Sequence, residues 1–165
     1  MKKTMATLAT GFLLASTAQA ADSLSCRVKQ DLAAGADRAP KVTEFIWSTA
    51  HNSSEPSGPI QTSIGTLSYT DGRRETQWGP LPNDALTLNG MALKVPPTVN
   101  GVIRFGKAFD YGDRVALAFL AEREGDSSAT PSEIVLLLDK AGKVSETDIQ
   151  PGNDAADPNH CTLVE

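Results

Sequence analysis

The sequence predicts an all-β protein, an antiparallel sandwich or small barrel of about nine short strands. Apolar or alternating segments are separated by Gly, Pro, Asn and Asp turn signals along most of the chain. With 13 Gly, 10 Pro and an aromatic content of 5%, the composition is that of a turn-rich fold rather than a helical bundle. We expect a single domain over residues 21–165, because this length is typical of one domain.

The strands are predicted from their apolar and β-branched content and from the turns between them. In the first, Leu24, Cys26 and Val28 alternate with polar residues. A short helix or turn is expected over residues 31–38, where Gly35 lowers the helix propensity. The strands are expected at residues 24–28, 42–49, 60–70, 86–88, 91–93, 102–105, 115–120, 134–138 and 143–149, with residues 162–164 closing the sheet beside the first strand.

The clearest hairpin signal is the dipeptide at residues 89–90, Asn-Gly, which favours a two-residue turn. Such a turn places Leu88 opposite Met91 and Leu86 opposite Leu93. Both apolar pairs then lie on one side of the sheet, so the turn and the apolar pattern predict the same register.

Two further sequence features predict the arrangement of strands in the C-terminal half. Residues 115–120 are apolar on both faces, which predicts a central strand. Residues 139–142 form a turn signal between two strands, with Gly142 suited to its left-handed position. This strand–turn–strand unit resembles half a propeller blade, so a partial propeller-like arrangement is the alternative architecture.

Residues 1–20 have the pattern of a cleaved Sec signal peptide. A pair of lysines precedes a short apolar segment, and the Ala-Gln-Ala sequence at 18–20 supplies the small residues that determine cleavage. The apolar segment is shorter than the ~20 residues that span a bilayer. We therefore expect cleavage before Ala21 and a periplasmic protein that does not span the membrane. Secretion, an uncleaved anchor and a lipid anchor on Cys26 are less favoured, the last because Ser23 occupies the lipobox leucine position.

The formal net charge of −5 is concentrated in the C-terminal third, where residues 110–165 hold 12 acidic and 4 basic residues. Without a basic block, the chain is not expected to bind nucleic acid, because phosphate neutralisation supplies most of that affinity. An acidic surface favours a basic protein partner, and a merely solubilising surface is the alternative. Two Cys and two His are too few for a multi-ligand zinc or iron site, so no metal or other cofactor is expected.

Cys26 and Cys161 lie near the two ends of the predicted domain. In an oxidising compartment such a pair predicts one disulfide. Loop entropy alone sets an upper figure of about 4–5 kcal/mol on the stabilisation by a bridge over so long a segment. The bridge also predicts that the first and last strands are neighbours.

Two fragments resemble parts of the trypsin-like serine protease motifs: residues 49–51, Thr-Ala-His, and residues 125–127, Gly-Asp-Ser. The resemblance implies His51 activating Ser127, with Asp84 or Asp110 between them in sequence. The histidine motif lacks an alanine, the serine motif lacks its second glycine, and the chain is too short for the two barrels of that family. We therefore expect no catalytic residues, and a serine hydrolase is the least favoured reading.

Residues 122–132 join two strongly apolar strands and are long for a hairpin loop, and long loops on a rigid β scaffold often bind partners. The loop is acidic at its base and small and polar at its tip. The predicted function is a periplasmic inhibitor or immunity protein that blocks a hydrolase, for example a cell-wall hydrolase, by inserting this loop. A structural or ligand-binding accessory protein is the alternative, and calcium binding by the acidic tail at residues 153–159 is left open. The predicted partner-binding residues are Glu122, Glu124, Asp126, Ser127 and Ser128.

Overall fold

The computed structural model describes residues 23–35, 37, 39–47, 57–70, 81–95, 103–121, 132–150 and 160–164. These residues form one α-helix and nine β-strands. The elements are α1 (Leu24–Ala33), β1 (Lys41–Ile46), β2 (Ile60–Thr62), β3 (Gly65–Tyr69), β4 (Leu86–Leu88), β5 (Met91–Ala92), β6 (Ile103–Asp110), β7 (Val115–Ala121), β8 (Ser132–Leu138) and β9 (Val144–Gln150).

The described strands form two antiparallel sheets, which confirms the predicted fold class. One sheet has five strands in the order β1-β6-β7-β8-β9, and the other has four in the order β2-β3-β4-β5. The strand predicted to be central, β7, lies in the middle of the larger sheet. Its residues from Val115 to Phe119 are fully buried because both of its faces are covered.

One face of the five-stranded sheet packs against the four-stranded sheet, as in a sandwich. Leu117, Phe119 and Leu136 from the larger sheet belong to the same buried cluster as Leu67 and Leu86 from the smaller one. Alternate residues along β7 and β8 supply this cluster, as the pleat of a strand requires. We call this side of the larger sheet the sandwich face.

The opposite face packs against α1 and the C-terminal residues, and we call it the helix face. Leu24 and Val28 of the helix, with Leu163 and Val164 of the C-terminal segment, cover Phe109 and other side chains of the sheet. The described residues therefore form three layers, with the five-stranded sheet in the middle. Its central strands are apolar on both sides for that reason.

The predicted first strand is wrong, because residues 24–28 lie in α1. Ser23 caps the helix, with its Oγ accepting a hydrogen bond from the Cys26 N–H at 3.2 Å. Leu24 and Val28 are spaced four residues apart, so they share one face of a helix as well as one face of a strand. An apolar pattern over only five residues fits both the two-residue repeat of a strand and the 3.6-residue repeat of a helix. The Ser23 cap favours the helix.

The predicted closing strand at residues 162–164 is also wrong. Leu163 and Val164 are buried against the helix face but form no strand, because their N–H groups donate to the side chain of Glu133 instead of to a neighbouring strand. The two segments that carry the cysteines are neighbours as expected, although neither is a strand.

Residues 60–70, predicted as one long strand, form the hairpin of β2 and β3. Gly65 adopts a φ of +140°, which is outside the range of ordinary L residues, and the chain reverses just before it. Thr62 Oγ1 donates to the Gly65 carbonyl oxygen at 2.6 Å and holds the turn. Gly65 therefore interrupts the single strand that the β-branched residues on either side of it would otherwise form.

The two best-defined turn predictions are confirmed. In the β4–β5 hairpin Leu88 pairs with Met91 and Thr87 with Ala92, the expected register. After β8, Asp139 Oδ1 accepts from the N–H groups of Ala141 and Lys143, each at 2.9 Å.

Candidate functional site

The two ends of the five-stranded sheet differ in how the strands are connected. At the turn end, residues 111–114 join β6 to β7 and residues 139–143 join β8 to β9. At the opposite end, the connection between β7 and β8 spans residues 122–131. We call this second end the long-connection end; it is marked by Ile46, Ile103, Ala121, Ser132 and Gln150.

All the residues predicted to bind a partner belong to segments outside the described residues, and so does the predicted signal peptide. The structure does define where the 122–131 segment is attached. Ala121 pairs with Ser132, and the next pair is Leu120 with Glu133. The undescribed candidates are Glu122, Glu124, Asp126, Ser127, Ser128, His51 and the acidic tail at residues 153–159.

A second acidic segment is attached beside the first. Gln150, the last residue of β9, pairs with Glu133, the second residue of β8. The segments 122–131 and 151–159 therefore join neighbouring strands at the same end of the sheet. Together they contain five acidic residues and one basic residue. The register thus places the attachment points of the two acidic segments side by side.

An aromatic stack supports the long-connection end. The ring centroids of Phe45 and Trp47 are 3.9 Å apart, and those of Trp47 and Tyr69 are 5.5 Å apart. The Ile103 N–H donates to the Tyr69 hydroxyl at 3.2 Å. The stack begins on β1 and ends on β3, so it ties the two sheets together. It also fixes the points where segment 48–56 leaves the sheet and segment 96–102 returns to it.

Glu133 is a buried carboxylate at the base of this end, with 2% of its surface exposed. Its Oε2 accepts from the N–H groups of Leu163 at 2.8 Å and Val164 at 2.7 Å. Its Oε1 has no hydrogen-bond partner among the described residues. Burial raises the pKa of this carboxyl, although the two amides and the nearby charge of His160 act in the opposite direction. Glu133 thus anchors the C-terminal segment to the central hairpin.

The predicted disulfide is confirmed, since Cys26 and Cys161 are bonded across a sequence separation of 135. Polar contacts beside it hold α1 on β9. The Ser25 N–H and Oγ both donate to Asp148 Oδ2, at 2.9 and 2.8 Å. Arg27 forms an ion pair with Glu146 at 2.5 Å. The disulfide and these contacts fix the helix over the same two strands that carry the acidic segments.

Asp84 and Asp110, the two acids considered as partners of His51, both lie in the described part of the chain. The Asp110 carboxylate accepts from the Ser63 N–H at 2.6 Å, from the Ser63 hydroxyl and from the Gly112 N–H at 2.9 Å. Burial alone would raise the pKa of Asp110, but these hydrogen bonds and the charge of Lys41 lower it overall. Asp110 lies at the turn end, whereas segment 48–56, which contains His51, is attached at the other end. Asp84 is exposed in the turn before β4.

Within the described ranges, no group of three or more His, Cys, Asp or Glu side chains is arranged to hold a metal ion. Across the same part of the chain, no helix is long and apolar enough to cross a membrane. No protein-family model, curated protein or solved structure matches the sequence.

Sequence reasoning missed Glu133 and Asp148, the two acids that hold the helix face together. The signal for Glu133 is a single acid directly before the apolar run of β8. Such an acid is expected to be exposed at a strand end, unless backbone amides from a distant segment satisfy it. The partner amides come from residues about thirty positions later, which no local pattern indicates.

Proposed function

We propose that the chain is an exported, non-enzymatic protein-binding module, an inhibitor or immunity protein that blocks a hydrolase, for example a cell-wall hydrolase, by inserting the 122–132 loop. The observation that carries the proposal is the attachment of this loop to the β7–β8 hairpin, the buried centre of the five-stranded sheet. A second acidic segment joins the sheet beside it.

The rigidity of the hairpin supports the proposal. β7 and β8 pair without interruption from Val115–Leu138 to Ala121–Ser132. Binding costs less free energy when the groups that carry the recognition surface are already ordered. A loop attached to the best-packed strands has its two ends held in fixed positions, which lowers the free-energy cost of presenting it to a partner.

The charge distribution supports a basic partner. The acidic segments 122–131 and 151–159 are attached to the sheet at the same end. Complementary charge between two proteins speeds their association and disfavours wrong partners. Residues at the rim, such as Glu122, Glu124 and Asp126, would set the association rate. The small residues Ser127 and Ser128 at the tip would enter the cleft of the hydrolase.

The disulfide supports an exported protein, since such bonds persist in oxidising compartments. With the signal pattern of residues 1–20, it favours the periplasm. The alternative of a ligand-binding accessory protein is favoured by one separate observation, a cleft at the turn end that is described below.

The test is binding of the mature, disulfide-bonded chain to a panel of purified cationic hydrolases, with stopped-flow and surface measurements at varied salt. The triple variant Glu122→Gln, Glu124→Gln, Asp126→Asn should associate more slowly at low salt and like wild type at high salt, because salt screens exposed charges. Ser127→Trp should instead raise the dissociation rate through a clash. Asp113→Asn, an exposed acid at the turn end, is the matched control.

Two outcomes would contradict the proposal. One is inhibition or binding that is the same in the triple variant, in Ser127→Trp and in the control. The other is stoichiometric labelling of Ser127 by a serine-reactive phosphonate, which would favour the hydrolase reading. Loss of that labelling in His51→Ala would then identify the base.

A further inference from the structure

A cleft of about 310 Å³ lies at the turn end of the molecule, between the β4–β5 hairpin and the turn that joins β8 to β9. It is separate from the long-connection end, where the proposed partner loop is attached. Its lining is apolar except for two lysines. The lining residues are Leu88, Met91, Ala92, Leu93, Lys94, Ala141, Gly142, Lys143 and Val144.

The cleft is a seam between the two sheets. Gly142 has a φ of +76°, and a Cβ added to it would clash with Leu88 Cδ2. The backbone of the turn therefore packs directly on the smaller sheet at this point. The cleft opens beside this contact, so both hairpins hold its walls in place.

Met91 is an unusual wall residue, because 65% of its surface is exposed. Its cross-strand partner Leu88 is buried. A single exposed apolar side chain is common, but this one borders a concave apolar surface. Methionine has a long, unbranched and polarisable side chain that adapts to different ligands.

The charge at the cleft is opposite to that of the chain as a whole. Lys94 and Lys143 are exposed, and neither ammonium group has an ion-pair partner among the described residues. The nearest acid in the turn, Asp139, uses its Oδ1 to accept from two backbone N–H groups. In a chain of net charge −5, this apolar cleft therefore carries a local positive charge.

We propose that the cleft binds a monoanionic amphiphile with a single alkyl chain of medium length, such as a medium-chain carboxylate. The alkyl chain would lie against Met91, Leu93 and Val144, and the anionic head would face Lys94 and Lys143. Ligand pockets span roughly 300–1,000 Å³, so this volume suits one short chain and not a two-chain lipid.

The test is titration of the ¹⁵N-labelled mature chain with sodium decanoate below its micelle concentration, followed by amide chemical shifts and calorimetry. Decanoate should shift the amides of residues 91–94 and 141–144. Decyltrimethylammonium, with the same chain and the opposite charge, should not. In the double variant Lys94→Gln, Lys143→Gln, affinity should fall about tenfold, as loss of two exposed charge contacts allows.

Lys140→Gln is the matched control, because Lys140 belongs to the same turn but does not line the cleft. It should bind decanoate like wild type. Met91→Ser should weaken binding of decanoate more than binding of hexanoate, since only the longer chain reaches it. All four substituted residues are exposed, so unchanged thermal unfolding will show that the variants fold.

Three results would overturn this proposal: equal binding of the cationic amphiphile, unchanged affinity in the double lysine variant, or shifts that do not centre on the cleft. None of them bears on binding of a basic protein at the long-connection end.

Discussion

The sandwich face and the helix face of the five-stranded sheet bury the same kinds of side chain but are held in different ways. The interior of the sandwich face is apolar, and its polar links, Ser63 to Asp110 and Tyr69 to Ile103, lie at the two ends of the sheet. The helix face has a smaller apolar cluster, supplemented by a disulfide and by buried or half-buried acids.

The difference follows from what covers each face. Four paired strands cover the sandwich face and need no cross-link. The helix face is covered by a ten-residue helix and a short C-terminal segment from the other end of the chain. An isolated helix of this length is marginal in water, because ~12–15 residues are needed even in favourable sequences. A thin covering layer therefore depends on covalent and polar contacts that a second sheet does without.

The largest effect is expected on the sandwich face. Phe119→Ala should lower the free energy of unfolding by about 3–5 kcal/mol, because it leaves a cavity between two sheets that cannot collapse. Urea unfolding of the variant and of wild type measures this loss in the free energy of unfolding. Leu120→Ala, on the half-buried neighbour that faces the helix side, is the control and should cost less. An equal loss in the two variants would mean that the faces do not differ as described.

The next effect concerns the disulfide. The double variant Cys26→Ala, Cys161→Ala should lose about 2–4 kcal/mol of stability. Hydrogen exchange should show loss of protection in α1 and at Leu163 and Val164, with Leu67 and Leu117 still protected. A uniform loss of protection would show that the bond stabilises the whole molecule and not the helix face.

A third, intermediate effect is expected at Glu133. Glu133→Ala should cost about 1–3 kcal/mol, since it leaves two buried N–H groups without an acceptor. Glu133→Gln keeps the acceptor and removes the charge, so it isolates the effect of pH. The unfolded carboxyl titrates near its usual value of 4.5, and burial raises its pKa in the folded state.

The direction of the pH dependence follows from the coupling between protonation and folding. A raised folded-state pKa gives stability that is fully present below pH 4.5 and is lost as the pH rises through the folded value. Wild type should therefore lose stability relative to Glu133→Gln as the pH rises from 4 to 8. Asp110→Asn should show the opposite sign in a more acidic range: wild type should lose its stability advantage over this variant as the pH falls below the usual carboxyl pKa of 3.8, because the folded-state pKa of Asp110 is lowered. Parallel pH profiles for wild type and Glu133→Gln would refute the assignment.

The smallest effect is expected at the ion pair between Arg27 and Glu146, whose side chains are about two-fifths exposed. Glu146→Gln should cost only ~0.2–1 kcal/mol, because solvent weakens the attraction and ordering two long side chains opposes it. The cost should shrink further at high salt. A salt-independent loss above that range would show that this contact matters as much as the buried ones.

Local patterns predicted the parts of the fold that local chemistry determines. The Asn-Gly turn and the apolar residues around it agreed on the register of β4 and β5. Because residues 115–120 are apolar on both faces of a strand, they are predicted to form a central strand. The two cysteines and their context were enough for the disulfide.

The errors have equally physical causes. Residues 24–28 fit both a strand and a helix, and only the Ser23 cap distinguishes them. Glu133 is buried because amides from a distant segment reach it, and the lysine-rimmed cleft arises from two hairpins about fifty residues apart. Such contacts depend on how the layers pack, which alternation within a segment does not encode. The predicted partner residues at 122–128 lie outside the described part of the chain, so their role remains a prediction.

The cysteine pair also constrains the order of events during maturation. With two cysteines in the chain, a single intramolecular pairing exists, so oxidation within one molecule has no wrong product. Cys161 follows all nine described strands, so the bond forms only once these nine strands have been synthesised. The remaining error is a bridge between two molecules, whose frequency rises with protein concentration. Dilution during oxidative refolding should therefore raise the yield of monomer more than an added disulfide isomerase does.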